Sequence, residues 1–326
     1  MPVYNAGRFL GPAIDSILGQ TFSDFELITI NDGSTDGSGK ILEAYAKRDK
    51  RMRVVHQKNM GIVSTLNKAI DLSKGKYLAR QDGDDISFLT RFEQQIAILD
   101  AREDVVLVTG SFEVIDEQDE YLYREVIPTN DRDIKRAMYL RNPIGHGSVM
   151  FRKSTCLDVG KYSADCGPTE DYELWTRLAE AGKFAGTEGT LFRWRVNTNG
   201  ITSTKNDLQV TIMKQHIDKL WKKSPPDMLS RADMYKDGMY YYKTFPKYGV
   251  SMKEIILADN AQLAIKLMHR GRPLEGIHQL MAVFFTNRSG IHAVLYRLHV
   301  IRHSALSVIR SRTRIGRQDP TPSEVS

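Results

Sequence analysis

The amino-acid sequence predicts an α/β fold in which a mostly parallel central sheet is flanked by helices and followed by a helical extension. Short β-branched runs alternate with segments of helical spacing through the first 200 residues. Two acidic turns directly follow predicted strands, and strand signals stop near residue 200. Such alternation is typical of parallel sheets, which bind ligands at the carboxyl ends of their strands.

The predicted elements of the first half follow one another in a regular order. Apolar, β-branched runs predict strands, and apolar residues spaced three and four apart predict helices. The strands are predicted at residues 25–30, 52–56, 76–80 and 105–109, and the helices at 38–48, 63–72 and 88–99. Two of these strands end at the turns 31–33 and 82–85.

The second part of the chain is predicted to be helical and basic. Residues 1–200 hold 26 Lys and Arg against 30 acids, whereas residues 201–326 hold 20 against 10. An acidic domain suits a metal site, and a basic extension suggests an anionic partner. Helical spacing recurs at residues 212–221, 255–268 and 274–285. We predict an α/β domain over residues 1–203, a basic helical extension over 204–317 and a disordered end over 318–326.

Composition and missing signals exclude several classes of protein. The 326 residues are 41% hydrophobic and 26% charged, as in ordinary globular proteins. The two cysteines, Cys156 and Cys166, predict neither a disulfide framework nor a zinc site. No apolar run reaches the roughly 18 residues of a membrane span, and no signal-peptide pattern opens the chain, so a cytoplasmic protein is expected. The glycine pattern of dinucleotide oxidoreductases and the glycine-rich loop of sugar-phosphate nucleotidyltransferases are missing.

Three acidic turns are candidates for chemistry. Asp32 follows a predicted strand, where its carboxylate can accept a hydrogen bond from the imide of a pyrimidine; the alternative is a polar turn that caps a helix. The turn 82–85 holds three carboxylates, which suit Mg²⁺ or Mn²⁺; the alternative is an exposed acidic loop. Glu170 and Asp171 head a predicted helix, where one of them can act as a general base or merely favour the helix N-terminus.

The order and spacing of several motifs resemble family 2 glycosyltransferases over about residues 1–200, and most closely the bacterial branch that builds surface polysaccharides and lipopolysaccharide. The resemblance implies a GT-A fold. The matching segments are Pro-Val-Tyr-Asn at 2–5, Ser-Ile-Leu-Gly-Gln-Thr-Phe at 16–22, Phe-Glu-Leu at 25–27, Asn-Asp-Gly-Ser-Thr-Asp at 31–36, Asn-Lys-Ala at 67–69, Gly-Lys-Tyr at 75–77, Asp-Gly-Asp-Asp at 82–85 and Glu-Asp at 170–171.

The resemblance also implies a role for individual residues. Val3, Tyr4, Asp32 and Asn67 match positions that line the nucleoside pocket. Asp82 and Asp84 match the DXD motif, the first near the ribose and the second on a metal, Mn²⁺ or Mg²⁺, that bridges the diphosphate.

Further positions concern the acceptor. Asp171 matches the catalytic base, with Glu170 as its neighbour. His146 and Trp175 match lining on the acceptor side, although Trp175 is as readily explained as core packing.

Together these roles imply an inverting transferase. The metal stabilises the nucleoside diphosphate leaving group, while the base deprotonates the hydroxyl of a glycan or lipid-linked acceptor. The alternative is an inactive relative that binds sugar or membrane as a scaffold. The presence of Asp82, Asp84 and Asp171 together favours the enzyme.

Two departures from the family pattern stand out. Relatives carry an apolar strand before the segment that begins at Pro2, where this sequence has only Met1. We expect a start assigned too late rather than a missing strand, because its loss would leave neighbouring backbone unpaired. Many relatives also place a metal-contacting His where this chain has Asn197, so we expect Arg195 to contact phosphate instead.

The basic extension has a candidate partner in the membrane. An apolar stripe with arginines beside it predicts peripheral docking on the inner face of the plasma membrane. A solvated basic helix and packing against the α/β domain are the alternatives, and nucleic acid is not expected because no recognition motif accompanies the charge. The stripe comprises Ile291, Val294, Leu295, Leu298, Ile301, Ala305 and Val308, with Arg297, Arg302 and Arg310 nearby.

Overall fold

The computed structural model describes residues 1–139, 142–197, 200 and 206–223. The helices predicted at 255–268 and 274–285, the disordered end at 318–326 and the apolar stripe lie outside these residues. Among the described residues, no helix is long and apolar enough to cross a membrane.

Nine strands and eight α-helices are found in the described part of the chain. The strands are β1 (Pro2–Val3), β2 (Leu27–Asp32), β3 (Met52–Gln57), β4 (Tyr77–Ala79), β5 (Ile86–Ser87), β6 (Val105–Ile115), β7 (Tyr121–Glu125), β8 (Met150–Arg152) and β9 (Lys183–Arg195). The helices are α1 (Leu10–Leu18), α2 (Ser38–Arg48), α3 (Ile62–Leu72), α4 (Arg91–Ala101), α5 (Asp131–Met138), α6 (Lys153–Asp158), α7 (Glu170–Ala181) and α8 (Asn206–Lys223).

The first sheet is parallel and has the strand order β1-β2-β3. All six residues of β2 are buried, as expected of a parallel strand covered on both faces. Strand β1 has only two residues. The Met1 amine donates to the Ile28 carbonyl at 2.9 Å, and the Met1 carbonyl accepts from the Ile30 N–H at 3.0 Å. A start upstream of Met1 stays a prediction.

The second sheet is mixed rather than parallel. Its order is β4-β8-β6-β9-β5, and β7 pairs with β6. The long strands β6 and β9 run parallel to each other, whereas the other pairs in this sheet are antiparallel. The predicted α/β class is confirmed, but the strands after β6 were not predicted. Strands β8 and β9 pair with strands that lie far away in the sequence, where local periodicity carries no signal, whereas β7 pairs with β6 across a short connection.

Helix α8 packs against the rest of the described chain. Ile217 is buried, and Met213 packs against the same apolar cluster, which includes residues of α7. At the end of α8, the Lys223 ammonium pairs with the Glu180 carboxylate of α7 at 2.6 Å. The helix predicted at 212–221 is therefore confirmed, and this first segment after residue 203 lies on the α/β domain.

Candidate functional site

The loops that follow β1 and β2 are tied together by side chains. Asn5 adopts φ of 49°, a conformation that Asn tolerates better than most residues. Its Oδ1 accepts the Thr35 N–H at 2.8 Å, and its own N–H donates to Ser34 Oγ at 3.0 Å. Asp36 Oδ2 accepts the Gly7 N–H at 2.8 Å. These bonds fix one edge of the candidate site before any ligand binds.

The carboxylate of Asp32 is occupied by protein donors at the end of β2. Its Oδ1 accepts Gln57 Nε2 and the Met60 N–H, both at 2.8 Å, and its Oδ2 accepts the Gly61 N–H at 3.0 Å. Gly61 immediately precedes α3, so Asp32 satisfies a donor at that helix N-terminus. Because a carboxylate accepts about four hydrogen bonds, Asp32 keeps capacity for one more donor.

The acidic loop 82–85 lies against β1. A Cβ at Gly83 would stand 3.3 Å from Ala6 Cβ and 3.7 Å from a methyl of Val3, so a glycine here allows close approach. Val3 is buried beneath this contact, whereas the neighbouring Tyr4 is 55% exposed. The structure thus brings Val3, one of the residues predicted to line the nucleoside pocket, next to the acidic loop 82–85.

The carboxylates of this loop have donors on both sides. Arg80 Nη1 donates to Asp82 Oδ2. Asn197 Nδ2 donates to Asp84 Oδ2 at 3.1 Å, and Arg195 Nε donates to the Asp84 carbonyl at 2.9 Å. Asn197, which occupies the place of the relatives' His, therefore orients the carboxylate predicted to hold the metal.

Asp85 is the buried member of the acidic loop. Its Oδ1 accepts the Arg195 N–H at 2.9 Å, and its Oδ2 has no hydrogen-bond partner among the described residues. Burial raises the pKa of Asp85 to about 8, and the charge of Asp84 adds to the rise. The loop therefore contains a carboxyl that favours its neutral form near pH 7.

Arg195 holds the loop rather than facing an open phosphate site. Its side chain is only 1% exposed. Nη1 donates to the Asp116 carbonyl at 2.9 Å, Nη2 donates to Asp119 Oδ1 at 2.5 Å, and the guanidinium lies 4.5 Å from the centre of the Phe9 ring. The expected phosphate contact has no support from this arrangement, because the guanidinium is enclosed by protein acceptors.

Glu170 and Asp171 form the first turn of α7. Glu170 is buried. Asp171 Oδ1 accepts the N–H of Tyr172 at 2.7 Å, and Oδ2 accepts Asn142 Nδ2 at 2.8 Å. Burial raises the pKa of Asp171, while the Tyr172 N–H, the charge of Arg80 and the Asn142 amide oppose that rise. A raised pKa makes this carboxylate a better proton acceptor.

Arg80 is a cation that interacts with both the acidic loop 82–85 and the pair Glu170–Asp171. Sequence analysis did not identify it. Its guanidinium is buried, and burial lowers its pKa. Besides its bond to Asp82, its charge acts on Asp85, Glu170 and Asp171. Its Nε has no hydrogen-bond partner among the described residues. The available signal was a basic residue at the end of β4, directly before the acidic loop.

The predicted acceptor residues belong to an aromatic cluster. His146 Nε2 and Tyr162 Oη are 2.8 Å apart in a hydrogen bond, and the His146 and Trp175 rings meet edge-on with centroids 5.7 Å apart. Burial lowers the pKa of His146 well below its usual value, and Arg80 adds to this effect. Both effects favour the neutral form of the His146 imidazole.

Two predicted site residues have structural contacts instead of open positions. The Asn67 amide makes two bonds with the Tyr162 backbone, donating to the carbonyl at 2.8 Å and accepting the N–H at 3.0 Å. Trp175 is fully buried within the core, which matches the core-packing alternative for this residue. Asn67 positions the loop that carries Tyr162, and its expected contact with a nucleoside stays a prediction.

The carboxylates fit a divalent cation only together with a ligand's oxygens. No group of three or more His, Cys, Asp or Glu side chains within the described ranges is arranged to hold a metal ion. Mg²⁺ and similar ions commonly bind one or two carboxylates and complete their shell with substrate phosphates and water. Asp84, oriented by Asn197, and the partly exposed Asp82 match such a donor set.

Comparison with known proteins finds that the relatives of this chain are glycosyltransferases. An uncharacterized glycosyltransferase of Haemophilus influenzae is 31% identical over 217 residues, 63% of this chain and 67% of the relative. The O-antigen biosynthesis glycosyltransferase WbnJ of Escherichia coli is 33% identical over 181 residues, 55% of this chain and 69% of the relative. The model of glycosyl transferase family 2 matches residues 1–157. The chain belongs to glycosyltransferase family 2.

Solved structures confirm the GT-A fold that the resemblance implied. Staphylococcus aureus TarS 1–349, in complex with UDP-GlcNAc, has a TM-score of 0.57 at 14% identity and covers 84% of this chain and 87% of that one. The mannosyltransferase PcManGT of Pyrobaculum calidifontis, in complex with GDP-Man and Mn²⁺, has a TM-score of 0.54 at 16% identity, with coverages of 91% and 84%. Coverage of relatives varies: the chain spans 40% of a Rickettsia felis glycosyltransferase.

Proposed function

We propose that this glycosyltransferase moves a sugar, with inversion, from a nucleotide-diphosphate sugar to a hydroxyl of a glycan or lipid-linked acceptor in cell-surface polysaccharide synthesis. One observation carries the proposal: the buried guanidinium of Arg80 bonds to Asp82 of the acidic loop 82–85, and its charge also acts on the pair Glu170–Asp171. A donor-binding loop and a base in one site are what the reaction needs. The similarity to an O-antigen biosynthesis enzyme supports the pathway.

The donor would bind at the edge formed by β1, β2 and the acidic loop. Tyr4 presents an exposed ring on which a base can stack, and Asp32 retains one acceptor position for a base N–H. Two proteins of similar fold were solved with UDP-GlcNAc and GDP-Man, which supports a nucleotide-sugar donor for this chain.

Asp84 and Asp82 would hold a divalent cation together with the donor's diphosphate. When bound, Mn²⁺ or Mg²⁺ supplies Lewis-acid stabilisation to the departing nucleoside diphosphate. The chain's own contribution is orientation. Asn197 holds the Asp84 carboxylate, and Arg195 holds the backbone of the same loop from the end of β9.

Asp171 would act as the general base. Its carboxylate takes the proton of the acceptor hydroxyl as that oxygen bonds to the anomeric carbon, while the bond from this carbon to the diphosphate oxygen breaks on the opposite face. One displacement inverts the configuration, and the proton ends on Asp171. Burial favours uptake of that proton, and the Asn142 amide keeps the carboxylate oriented.

The proposed enzyme consists of a catalytic domain and a basic extension. Residues 1–203 would form the catalytic domain, with the basic extension 204–317 placing it on the inner face of the membrane, where lipid-linked acceptors are found. The packing of α8 against α7 gives the extension a fixed starting point on the catalytic domain.

A panel of nucleotide sugars with Mn²⁺ tests the proposal through thermal unfolding. A ligand at about 100 times its dissociation constant stabilises the folded state by ~2.7 kcal/mol, which is a readily measured shift. We expect one donor to stabilise the protein in the presence of Mn²⁺ and much less after chelation. If no nucleotide sugar shifts the unfolding temperature, the chain is a scaffold rather than a transferase.

A further inference from the structure

A strongly basic segment lies within an otherwise acidic domain. Residues 37–58, which form α2, β3 and their connection, hold seven Lys and Arg against two acids, a net charge of +5. The rest of residues 1–200 holds 19 against 28, a net charge of −9. Such a separation of charge within one domain creates a local positive field that attracts anionic partners.

Six cations of this segment are exposed and unpaired. Five of them form what we call the basic face; Arg53 is excluded because it lies on the same side of β3 as Gln57, which bonds to Asp32. None of the six forms an ion pair with another described residue, because both acids of the segment are engaged elsewhere. Glu43 contacts His56 at 2.7 Å, and Asp49 pairs with Arg51 at 2.7 Å. The basic face comprises Lys40, Lys47, Arg48, Lys50 and Lys58.

An open cleft runs along part of this face. It measures about 670 Å³ and follows one side of α2, where Lys40, Lys47 and Arg48 line it. His56 of β3 and Glu43 of α2, whose side chains contact each other at 2.7 Å, also line it. An open groove with cations along its length suits an extended anionic surface better than a single small anion, which needs convergent donors.

The basic face lies on the other side of β2 from the candidate active site. Neighbouring residues of a strand point to opposite faces of the sheet. Asn31 accordingly lies 3.0 Å from His56 and faces α2, whereas Asp32 bonds to the Gly61 N–H before α3. A partner on the basic face would therefore leave the Asp32 side accessible.

We propose that the basic face docks on the anionic headgroups of a phospholipid bilayer. Single-stranded nucleic acid is a weaker fit, because such sites combine cations with exposed aromatic rings on which bases stack. Among the described residues, none of the large exposed apolar side chains lies within 37–58. The attraction is Coulombic, so it weakens as salt rises.

The test uses the full chain and a triple variant, Lys47→Gln, Arg48→Gln and Lys50→Gln. Co-sedimentation is measured with phosphatidylcholine vesicles that contain or lack phosphatidylglycerol, at low and high salt. Each Lys or Arg near an anionic surface contributes about fivefold to partitioning, so the triple variant is expected to bind on the order of 100-fold more weakly at low salt. Neither protein should co-sediment with vesicles of pure phosphatidylcholine.

A matched control separates this face from net charge and from the basic extension. Arg102→Gln, Arg124→Gln and Arg132→Gln remove three exposed cations outside the basic face, and the extension is unchanged in both variants. We expect the control to sediment like the parent, and all three proteins to unfold at the same temperature. Equal loss in both variants would overturn the proposal. Unchanged vesicle binding beside reduced binding of single-stranded RNA would assign the face to nucleic acid instead.

Discussion

Two of the acidic turns, the one at Asp32 in the first sheet and the loop 82–85 in the second, differ in how the protein stabilises their negative charge. The Asp32 carboxylate at the end of β2 accepts three N–H donors from its own domain. The loop 82–85 at the end of β4 has three carboxylates, and Arg80 is the cation bonded to its first member. The first carboxylate has three protein donors and room for one more, whereas the second turn still favours added positive charge. This difference supports the proposal that the second turn binds a metal and the leaving group.

The largest effect is expected from removing a charge in the second turn. Asp84→Asn keeps the side-chain volume but removes one negative charge from the proposed cation site. Transfer should fall on the order of 10³–10⁴-fold, because a bound metal contributes several kcal/mol to a transition state of this kind. Turnover with Mn²⁺ and unfolding temperature are the measurements. Glu103→Gln, an exposed acid elsewhere, is the control, and full activity of Asp84→Asn would contradict metal dependence.

The next effect concerns Asp171, the proposed general base, whose pKa is influenced by the charge of Arg80. Asp171→Asn should bind the donor as the parent does, yet lose about 10²–10⁴-fold in turnover, the usual contribution of a general base. Calorimetry with the donor and a transfer assay distinguish the two quantities. Loss of donor affinity with turnover preserved would show that Asp171 has been given the wrong role.

The first turn should respond in stability as well as in donor binding. Asp32→Ala leaves the Met60 and Gly61 N–H groups and the Gln57 amide without their acceptor. These hydrogen bonds are partly buried, and a donor left unsatisfied away from water costs up to about 1–3 kcal/mol in the free energy of unfolding. Denaturant unfolding without metal measures this loss, and the exposed Asp24→Ala should change it by less than ~0.5 kcal/mol. An equal change in both variants would remove the distinction between the two turns.

Sequence patterns predicted the first turn and its surroundings better than the second. Helix α2 was predicted with the observed bounds, Ser38–Arg48, because its signal is local spacing of apolar residues. The partners of the second turn lie far away in the chain: Arg195 reaches the Asp84 carbonyl across 111 residues. No local pattern shows that a guanidinium so placed is enclosed, which is why Arg195 was expected on phosphate and Arg80 was overlooked.

The smallest expected effect is a shift in pH dependence, and it concerns the hydrogen bond between Asn142 and Asp171. The Asn142 Nδ2 donates to Asp171 Oδ2 at 2.8 Å, which stabilises the ionised carboxylate and opposes the rise in pKa caused by burial. Asn142→Ala removes this donor, so the pKa of Asp171 should rise further. A base works only when ionised, and its activity is lost as the pH falls through its pKa. In a plot of kcat against pH, the fall in kcat on the acid side (the acid limb) should therefore move to higher pH. The rate at alkaline pH should be nearly unchanged.

The position of the acid limb distinguishes a shift in the pKa of Asp171 from a structural disturbance of the loop that carries Asn142. Asn142 Oδ1 also accepts the Ile144 N–H at 3.1 Å, so the substitution removes a second bond. A purely structural disturbance would lower kcat by the same factor at every pH and leave the limb in place. Gln118→Ala, an exposed residue, should change neither the rate nor the limb. A limb that stays fixed in Asn142→Ala while the alkaline rate falls would show that Asn142 shapes the loop and does not tune the base.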